Sequence, residues 1–290
     1  MSFRPYNRPV TALAVSKTGA LCLSSCLDRS TISVNLASTD KFGEPVTELA
    51  NDTIKPISWI RFHPSLTQQI LTCSGDIKLW DLETRKPMIR MHGSVVTKAI
   101  FLENGLVAGC GGTSIDFYDS RVSGHSIHSL QGYHTDDITS LSAVNGLQLV
   151  SGGNDGMVNL YDLRGTRNVG LDMEIVYDMV DQLSVTQVEW RFGRCFAKLH
   201  GACRIVEIDF VRKNNEICKE YTLLVDKEEV GVDFDFSGDD SLVVGGDNLT
   251  DLTTQTVLLQ PSNNDVVTRL ALTNNSGVCA TNNGYIYKVS

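Results

Sequence analysis

A six-residue pattern of apolar, polar, any, apolar, any and apolar residues recurs along this chain, and no other feature constrains its fold as much. It reads VTALAV from Val10, ISWIRF from Ile57, VTKAIF from Val96, ITSLSA from Ile138, VTQVEW from Val185 and VTRLAL from Val267, with a weaker GVDFDF from Gly231. Successive starts lie 36 to 47 residues apart. Each copy leads into a turn such as SKTG, FHPS or FSGD, then a second apolar run such as ALCLSSC, QQILTCS or SLVVGGD. A third, alternating run follows: STISVNL, DIKLWDL, SIDFYDS or MVNLYDL. Period-two alternation with dense Gly, Asn, Asp and Ser punctuation predicts short antiparallel strands, and helical periodicity is nearly absent. A four-stranded unit of about 40 to 45 residues cannot bury both faces alone, so the expected solution is radial stacking of seven sheets.

The FSGD-type turn, the SGGND stretch (residues 151–155) and third runs ending in Trp80-Asp81, Tyr118-Asp119 or Tyr161-Asp162 resemble the WD40 repeat, over nearly the whole chain. The resemblance implies an all-β, seven-bladed WD40-type β-propeller, with residues 1–290 as a single domain. From Val267 only three strands can be written, in VVTRLAL, GVCATNN and YIYKVS. The missing one is expected from the N-terminal MSFRPYNRP, as is common in this family, which also removes an open sheet edge. The second unit, CSGDIKLWD, is short between its second and third strands and predicts a tighter hairpin. The sixth, SLVVGGDNLTDLTTQTVLLQPSNN, shows no Trp-Asp equivalent, which leaves the blade boundaries within 212–266 open.

The stretch SGGNDGMVNLYDLRG (151–165) invites a chemical reading, because Asp155 and Asp162 stand in a glycine-rich setting. No helix follows Gly152, Gly153 and Gly156, so a phosphate-binding loop of backbone amides is excluded. The resemblance instead implies a hydrogen-bonded structural tetrad of His134, Ser151, Asp155 and Tyr161, with Tyr in place of the usual Trp. Four buried polar groups that satisfy one another can pin a turn and fix register. Asp162 is then a turn cap. Other units keep less of the tetrad: Ser24 and Asp28 in the first, Thr113 in the third, Asn283 in the last.

Composition narrows function. The 25 Lys and Arg against 34 Asp and Glu give a formal charge of −9, whose mean field repels nucleic acid and anionic lipid, so neither is expected as a direct partner. The start lacks a signal-peptide core and no apolar run is long enough to cross a bilayer, which predicts an intracellular protein, cytoplasmic or nuclear. The glycosylation-type triplets at Asn51, Asn248 and Asn274 are then chance matches. The 8 Cys include no Cys-x-x-Cys, and Cys22, Cys73, Cys110 and Cys279 read as reduced core residues. His125 and His128 are three apart, which on a strand points them to opposite faces and argues against a metal site. No nucleophile elbow, zinc-protease helix, Walker loop or dinucleotide fingerprint is present, so no enzyme activity and no cofactor are expected.

The expected role is a non-catalytic scaffold that binds other proteins or peptides as one subunit of a hetero-oligomeric complex. Three surfaces are candidates. Family resemblance places Thr11, Ser58, Thr97, Thr139, Thr186 and Thr268, with Val232 as the weak counterpart, at the channel entrance. Small hydroxyls offer neither stacking faces nor focused charge, and Thr also simply favours strands. The acidic, apolar segment DMEIVYDMVDQLS, with Met173, Tyr177 and Met179, reads either as a protein-binding loop or as a fourth strand and connector. Finally, Tyr118-Asp119-Ser120-Arg121 and Tyr161-Asp162-Leu163-Arg164 resemble the Trp-Asp-x-Arg boxes of substrate receptors for cullin-4 ubiquitin ligases, which would make Arg121 and Arg164 adaptor contacts.

Overall fold

Each recurring pattern forms the first strand of an antiparallel sheet in the computed structural model. The structure describes all residues except 28–30, 38–39, 53–54, 164–172, 179–182, 201–203, 211–216, 223–232, 238–240, 262–264, 274–276 and 290, and only the backbone at 94, 173–178, 217–218 and 222. The first sheet runs Val10–Val15, Leu21–Cys26, Thr31–Leu36 and Pro45–Ala50. The second has Trp59–Phe62, Gln69–Cys73, Gly75–Asp81 and Lys86–Val96, with a fifth strand, Gly124–His125, added beyond the last. The third comprises Lys98–Phe101, Leu106–Gly111, Ser114–Asp119 and His128–Leu130. The fourth comprises Ile138–Asn145, Gln148–Gly153, Met157–Asp162 and Met173–Asp178.

Val185–Arg191, Arg194–Leu199, Arg204–Ile208 and Ile217–Thr222 make the fifth sheet. The sixth is built from short strands, Phe234–Phe236, Leu242–Val244, Leu249–Asp251 and Thr256–Leu259. Val267–Leu272, Gly277–Thr281 and Ile286–Val289 form the seventh, and Ser2–Phe3 completes it by pairing with Ile286 and Tyr287. Seven such sheets in succession, the last closed by the N-terminal strand, are a seven-bladed β-propeller. The N-terminal segment is held by more than its ladder. Phe3 packs edge-on against Phe42, Arg4 Nε donates to the Asn283 carbonyl at 3.1 Å, and the Tyr6 hydroxyl donates to the Ser24 carbonyl at 2.7 Å.

Two compact units are distinguished by their internal contacts: 1–74 with 78–88 and 225–290, and 75–77 with 89–224. Within the first, Leu23 and Ile32 of the first blade pack with Ile57, Ile60, Ile70 and Trp80 of the second, and a further core joins Val243 and Leu249 to Val267 and Cys279. Within the second, Val150 and Val158 of the fourth blade meet Val185, Val188, Cys195 and Val206 of the fifth. Within each unit, neighbouring blades bury their facing sides against one another, as the alternation requires. Cys22, Cys73, Cys110 and Cys279 are free thiols with no exposed surface, and burial pushes the Cys22 thiol up to about 12.

The sixth blade does carry the equivalent of the Trp-Asp turn. Asp251 Oδ1 accepts the N–H groups of Thr253 and Thr254, and Leu252 N–H bonds back to the Leu242 carbonyl. In the second blade Asp81 accepts the Glu83 N–H, and Leu82 N–H bonds to the Gln68 carbonyl. The sequences DLETR (81–85) and DLTTQ (251–255) make the same corner, with Arg85 and Gln255 both at positive φ, 59° and 58°. The signal the two share is the Asp-Leu-x-Thr run, which follows Trp80 in the second blade and Thr250, not an aromatic, in the sixth. The tight second-blade hairpin is a single-residue connection, Ser74, followed by Gly75 at φ 93°.

Candidate functional site

The most enzyme-like geometry lies in the fourth blade. His134 Nε2 is 2.6 Å from Ser151 Oγ, and His134 Nδ1 is 3.0 Å from both carboxylate oxygens of Asp155, the connectivity of a Ser-His-Asp relay. Burial decides against catalysis, because Ser151 has no exposed surface and its hydroxyl is donated to Tyr161 Oη at 3.1 Å. A substrate carbonyl has no approach to Oγ. Asn159 Nδ2, 3.1 Å from His134 Nε2, also donates to the Tyr133 carbonyl. Asp155 additionally accepts the N–H groups of Thr135 and Met157. Burial works to raise its carboxyl, but the bonds from His134, Thr135 and Met157 outweigh this and hold it below the ordinary carboxylate value.

The glycines of SGGND make room for this network. A Cβ on Gly153 would stand 2.6 Å from His134 Nδ1 and 2.7 Å from Asp155 Oδ1, and one on Gly152 would stand 2.6 Å from Val185 of the next blade. Asp162 accepts from Gln148 Nε2 at 2.6 Å.

The hydroxyl row also has an internal job. In the first blade Val10 pairs with Cys26 and Ala12 with Ser25, so Thr11 is an extra, bulged residue, and the same register shift falls at Thr139, Thr186 and Thr268. The bulged side chains donate back to carbonyls: Thr11 to Ile57 at 2.7 Å, Thr139 to Gly152 at 3.0 Å and Val185 at 2.5 Å, Thr186 to Lys198 at 3.4 Å, Thr268 to Ala280 at 3.5 Å. Ser58 and Thr97 donate to Cys73 and Cys110, each at 3.2 Å. Thr11 and Thr139 thereby stitch one blade to the backbone of the next. Val232 lies outside the described residues.

Of the two Tyr-Asp-x-Arg segments, the first is described through its Arg. Arg121 donates two bonds to Asp119, at 2.8 and 2.7 Å, and its own N–H a third, so the guanidinium folds back on its own corner. Those bonds hold the Asp119 carboxyl down to about 2. Arg164 lies outside the described residues, and no observation supports the cullin-4 reading. Residues 173–178, including Met173 and Tyr177, form the fourth strand of the fourth blade, with Met157 paired to Asp178 and Tyr161 to Met173; Met179 is outside the described residues.

Sequence reasoning missed two features. In the fifth and seventh blades the first strand has one edge without a sheet neighbour, and side chains from the preceding blade cap it. Ser140 and Ser142 accept the N–H groups of Val188 and Trp190, each at 3.0 Å; Asp233 and Asp235 accept those of Leu270 and Leu272, at 3.0 and 2.8 Å. Their signal was legible as polar residues at alternate positions of ITSLSA and GVDFDF. Lys98, almost fully buried, joins this row by donating to Ser140 Oγ at 2.7 Å.

The second feature is the fifth-blade hairpin tip, Arg191-Phe192-Gly193-Arg194. Arg191 pairs with Arg194, so Phe192 and Gly193 form a two-residue turn with φ 53° and 75°. Phe192 is 55% exposed, and among the described residues it is the one hydrophobic side chain at a positive φ. Holding a bulky residue there costs about 1 kcal/mol. Beneath the tip Trp190 stacks on Phe210, with ring centroids 5.8 Å apart.

Among the described residues no group of three His, Cys, Asp or Glu side chains could hold a metal ion, and no helix is long and apolar enough to cross a membrane. A family model described as WD domain, G-beta repeat, matches residues 124–162. That stretch runs from before the outer strand of the third blade through the third strand of the fourth, so the sequence repeat and the structural blade are offset. The chain is similar to the anaphase-promoting complex subunit cdc20 of Dictyostelium discoideum, 30% identical over 119 residues, which are 40% of this chain and 23% of that protein. It is also similar to the WD repeat-containing protein slp1 of Schizosaccharomyces pombe, 32% identical over 96 residues, 32% of this chain and 20% of the relative. The APC/C activator protein CDC20 of Saccharomyces cerevisiae is 29% identical over 125 residues, 41% of this chain and 20% of the relative. The matched stretches span no more than a quarter of these relatives.

Proposed function

This chain belongs to the WD40-repeat β-propeller family, and from that premise we propose that it is a non-catalytic adaptor, one subunit of a larger protein assembly, which docks a partner on the fifth-blade tip. Relatives whose names place them in or beside a multiprotein complex support the assembly part of this reading. One observation carries the docking part. The Ser-His-Asp chain that could do chemistry is sealed, whereas a strained hairpin presents an aromatic ring outward between Arg191 and Arg194. An apolar ring that stays 55% exposed while its backbone is held in an unfavourable conformation leaves a rigidly placed hydrophobic surface open to a partner. Aromatic and Arg side chains are also the groups that most often anchor protein interfaces.

The test compares the tagged full chain with its Phe192→Asn variant by affinity purification and mass spectrometry. Asn suits the left-handed conformation, as Asn104 at φ 60° shows in this same protein, so the variant is expected to be at least as stable in urea. A stoichiometric set of co-purifying proteins that falls at least tenfold with Phe192→Asn supports the reading. The same set retained in full by the variant rules out the tip, and no stoichiometric partner for the unaltered chain rules out the adaptor.

A further inference from the structure

His125 and His128 do part company, but His125 finds another imidazole. The chain leaves the third blade after Asp119 and lays Gly124–His125 parallel to the last strand of the second blade, with Gly124 opposite Met91 and His125 opposite His92. It then returns to the third blade, where His128 stacks on Phe117 with centroids 6.1 Å apart. Residues directly opposed in a parallel pair carry their side chains on the same face, separated by the strand spacing of about 4.8 Å. The rings of His92 and His125 lie 5.6 Å apart between centroids at 43°, and both side chains are exposed. Among the described residues neither imidazole makes a hydrogen bond or ion pair.

A glycine beside each histidine fixes this opposition, for different reasons. Gly124 has φ 151°, a conformation that side-chain-bearing residues rarely adopt, while a Cβ there would meet nothing within 4 Å. Backbone shape, rather than space, requires glycine, and that shape brings His125 across. At Gly93 space is the reason: a Cβ would lie 2.3 Å from Val96 and 2.9 Å from the Tyr118 hydroxyl. The next charge on the face, Arg90, is already held by Asp76 at 2.6 Å, and its N–H bonds to Ser123 Oγ. A two-residue parallel ladder contributes little stability alone, so the crossover calls for something that gains from bringing these two residues together.

We infer that His92 and His125 form a two-imidazole chelate for a divalent transition-metal ion, copper(II) or zinc, with water in the remaining positions. Neutral imidazole is the ligand these ions share, and copper(II) is held more tightly than zinc by a given nitrogen set. One imidazole alone binds weakly. Two held side by side make the second bond intramolecular, and the ion pins the crossover to the second blade. Unlike the docking tip, this site requires no partner protein.

Calorimetric titration of the full chain with copper chloride, and separately with zinc chloride, in a non-chelating buffer tests the inference. One ion per chain is expected, bound more tightly for copper. Affinity should fall at least tenfold in His92→Ala and equally in His125→Ala, and stay unchanged in His128→Ala. Copper(II) electron paramagnetic resonance should show two coordinated nitrogens in the unaltered chain and lose that pattern in either variant. Circular dichroism and melting confirm that the variants fold, and the ion should raise the melting temperature of the unaltered chain alone. Absence of a one-to-one site, or a site unaffected in the doubly substituted His92→Ala/His125→Ala chain, overturns the inference.

Discussion

The fourth and second blades solve one problem with different groups. Each must hold its second and third strands together at a buried polar corner. The fourth blade does so with His134 linked to Asp155 and to Ser151, which in turn bonds Tyr161, all side chains of low exposure. In the second, Trp80 Nε1 donates to Thr72 Oγ1 at 2.9 Å, and the remaining work falls to Lys78. Its ammonium, 1% exposed, reaches Asn51 and Asp52, while Asn51 Nδ2 donates to Ser74 at 3.1 Å. The fold therefore demands satisfied buried donors and acceptors, not a particular tetrad. The two solutions differ in where their charge sits. Asp155 is 5% exposed, whereas Asp52 is 63% exposed and keeps its hydration when its partner is lost.

That difference sets the size of the responses. His134→Ala is expected to cost the most, about 3 kcal/mol in urea unfolding, because it removes one bond each from the buried Ser151 hydroxyl and the buried Asp155 carboxylate and leaves a cavity. A loss below about 1 kcal/mol would make the fourth-blade network as dispensable as the second. Lys78→Met should cost about 1 kcal/mol or less, since the apolar isostere needs no solvation and Asp52 returns to water. A larger loss than that of His134→Ala would reverse the comparison. Trp80→Phe and Tyr161→Phe each remove one hydrogen-bonding group and should cost about 1 kcal/mol apiece, Trp80 more for its lost volume.

Acid separates the two blades most finely. The folded Asp155 carboxyl lies below its unfolded value, so its contribution is present in full above the unfolded value and is lost as pH falls through the folded one. Stability measured downward from about pH 5 should therefore decline less in Asp155→Asn than in the unaltered chain, from a lower starting level. Equal slopes would assign the acid sensitivity to other carboxylates such as Asp251, which is held below its ordinary value despite burial by its bonds to Thr254 and Thr253.

Much of the architecture was legible because strand alternation and turn residues are local. The repeat at Val10, Ile57, Val96, Ile138, Val185, Gly231 and Val267 marks seven sheets, and the shortage of strands after Val267 points to closure by the N-terminus. The sixth blade was harder to read because its corner keeps only the Asp-Leu-x-Thr run. Thr11 and Thr139 were recognised as a position but not as bulges, since a bulge is a property of the pairing and not of one strand. The positive-φ turn at Phe192 was missed because a bulky residue before glycine reads as an ordinary turn until its φ is known.

The order of the blades, the strands within them and the side chains that turn inward were settled by the sequence itself, since each depends on a period of two and on residues a few places apart. The meeting of His92 with His125, of Lys98 with Ser140, and of Asp233 with the Leu270 amide was decided only in three dimensions. These partners come from different repeats. Which residue of one blade faces which residue of the next follows from bulges, twist and register acting together, and a one-residue slip in any of them would have given each a different neighbour.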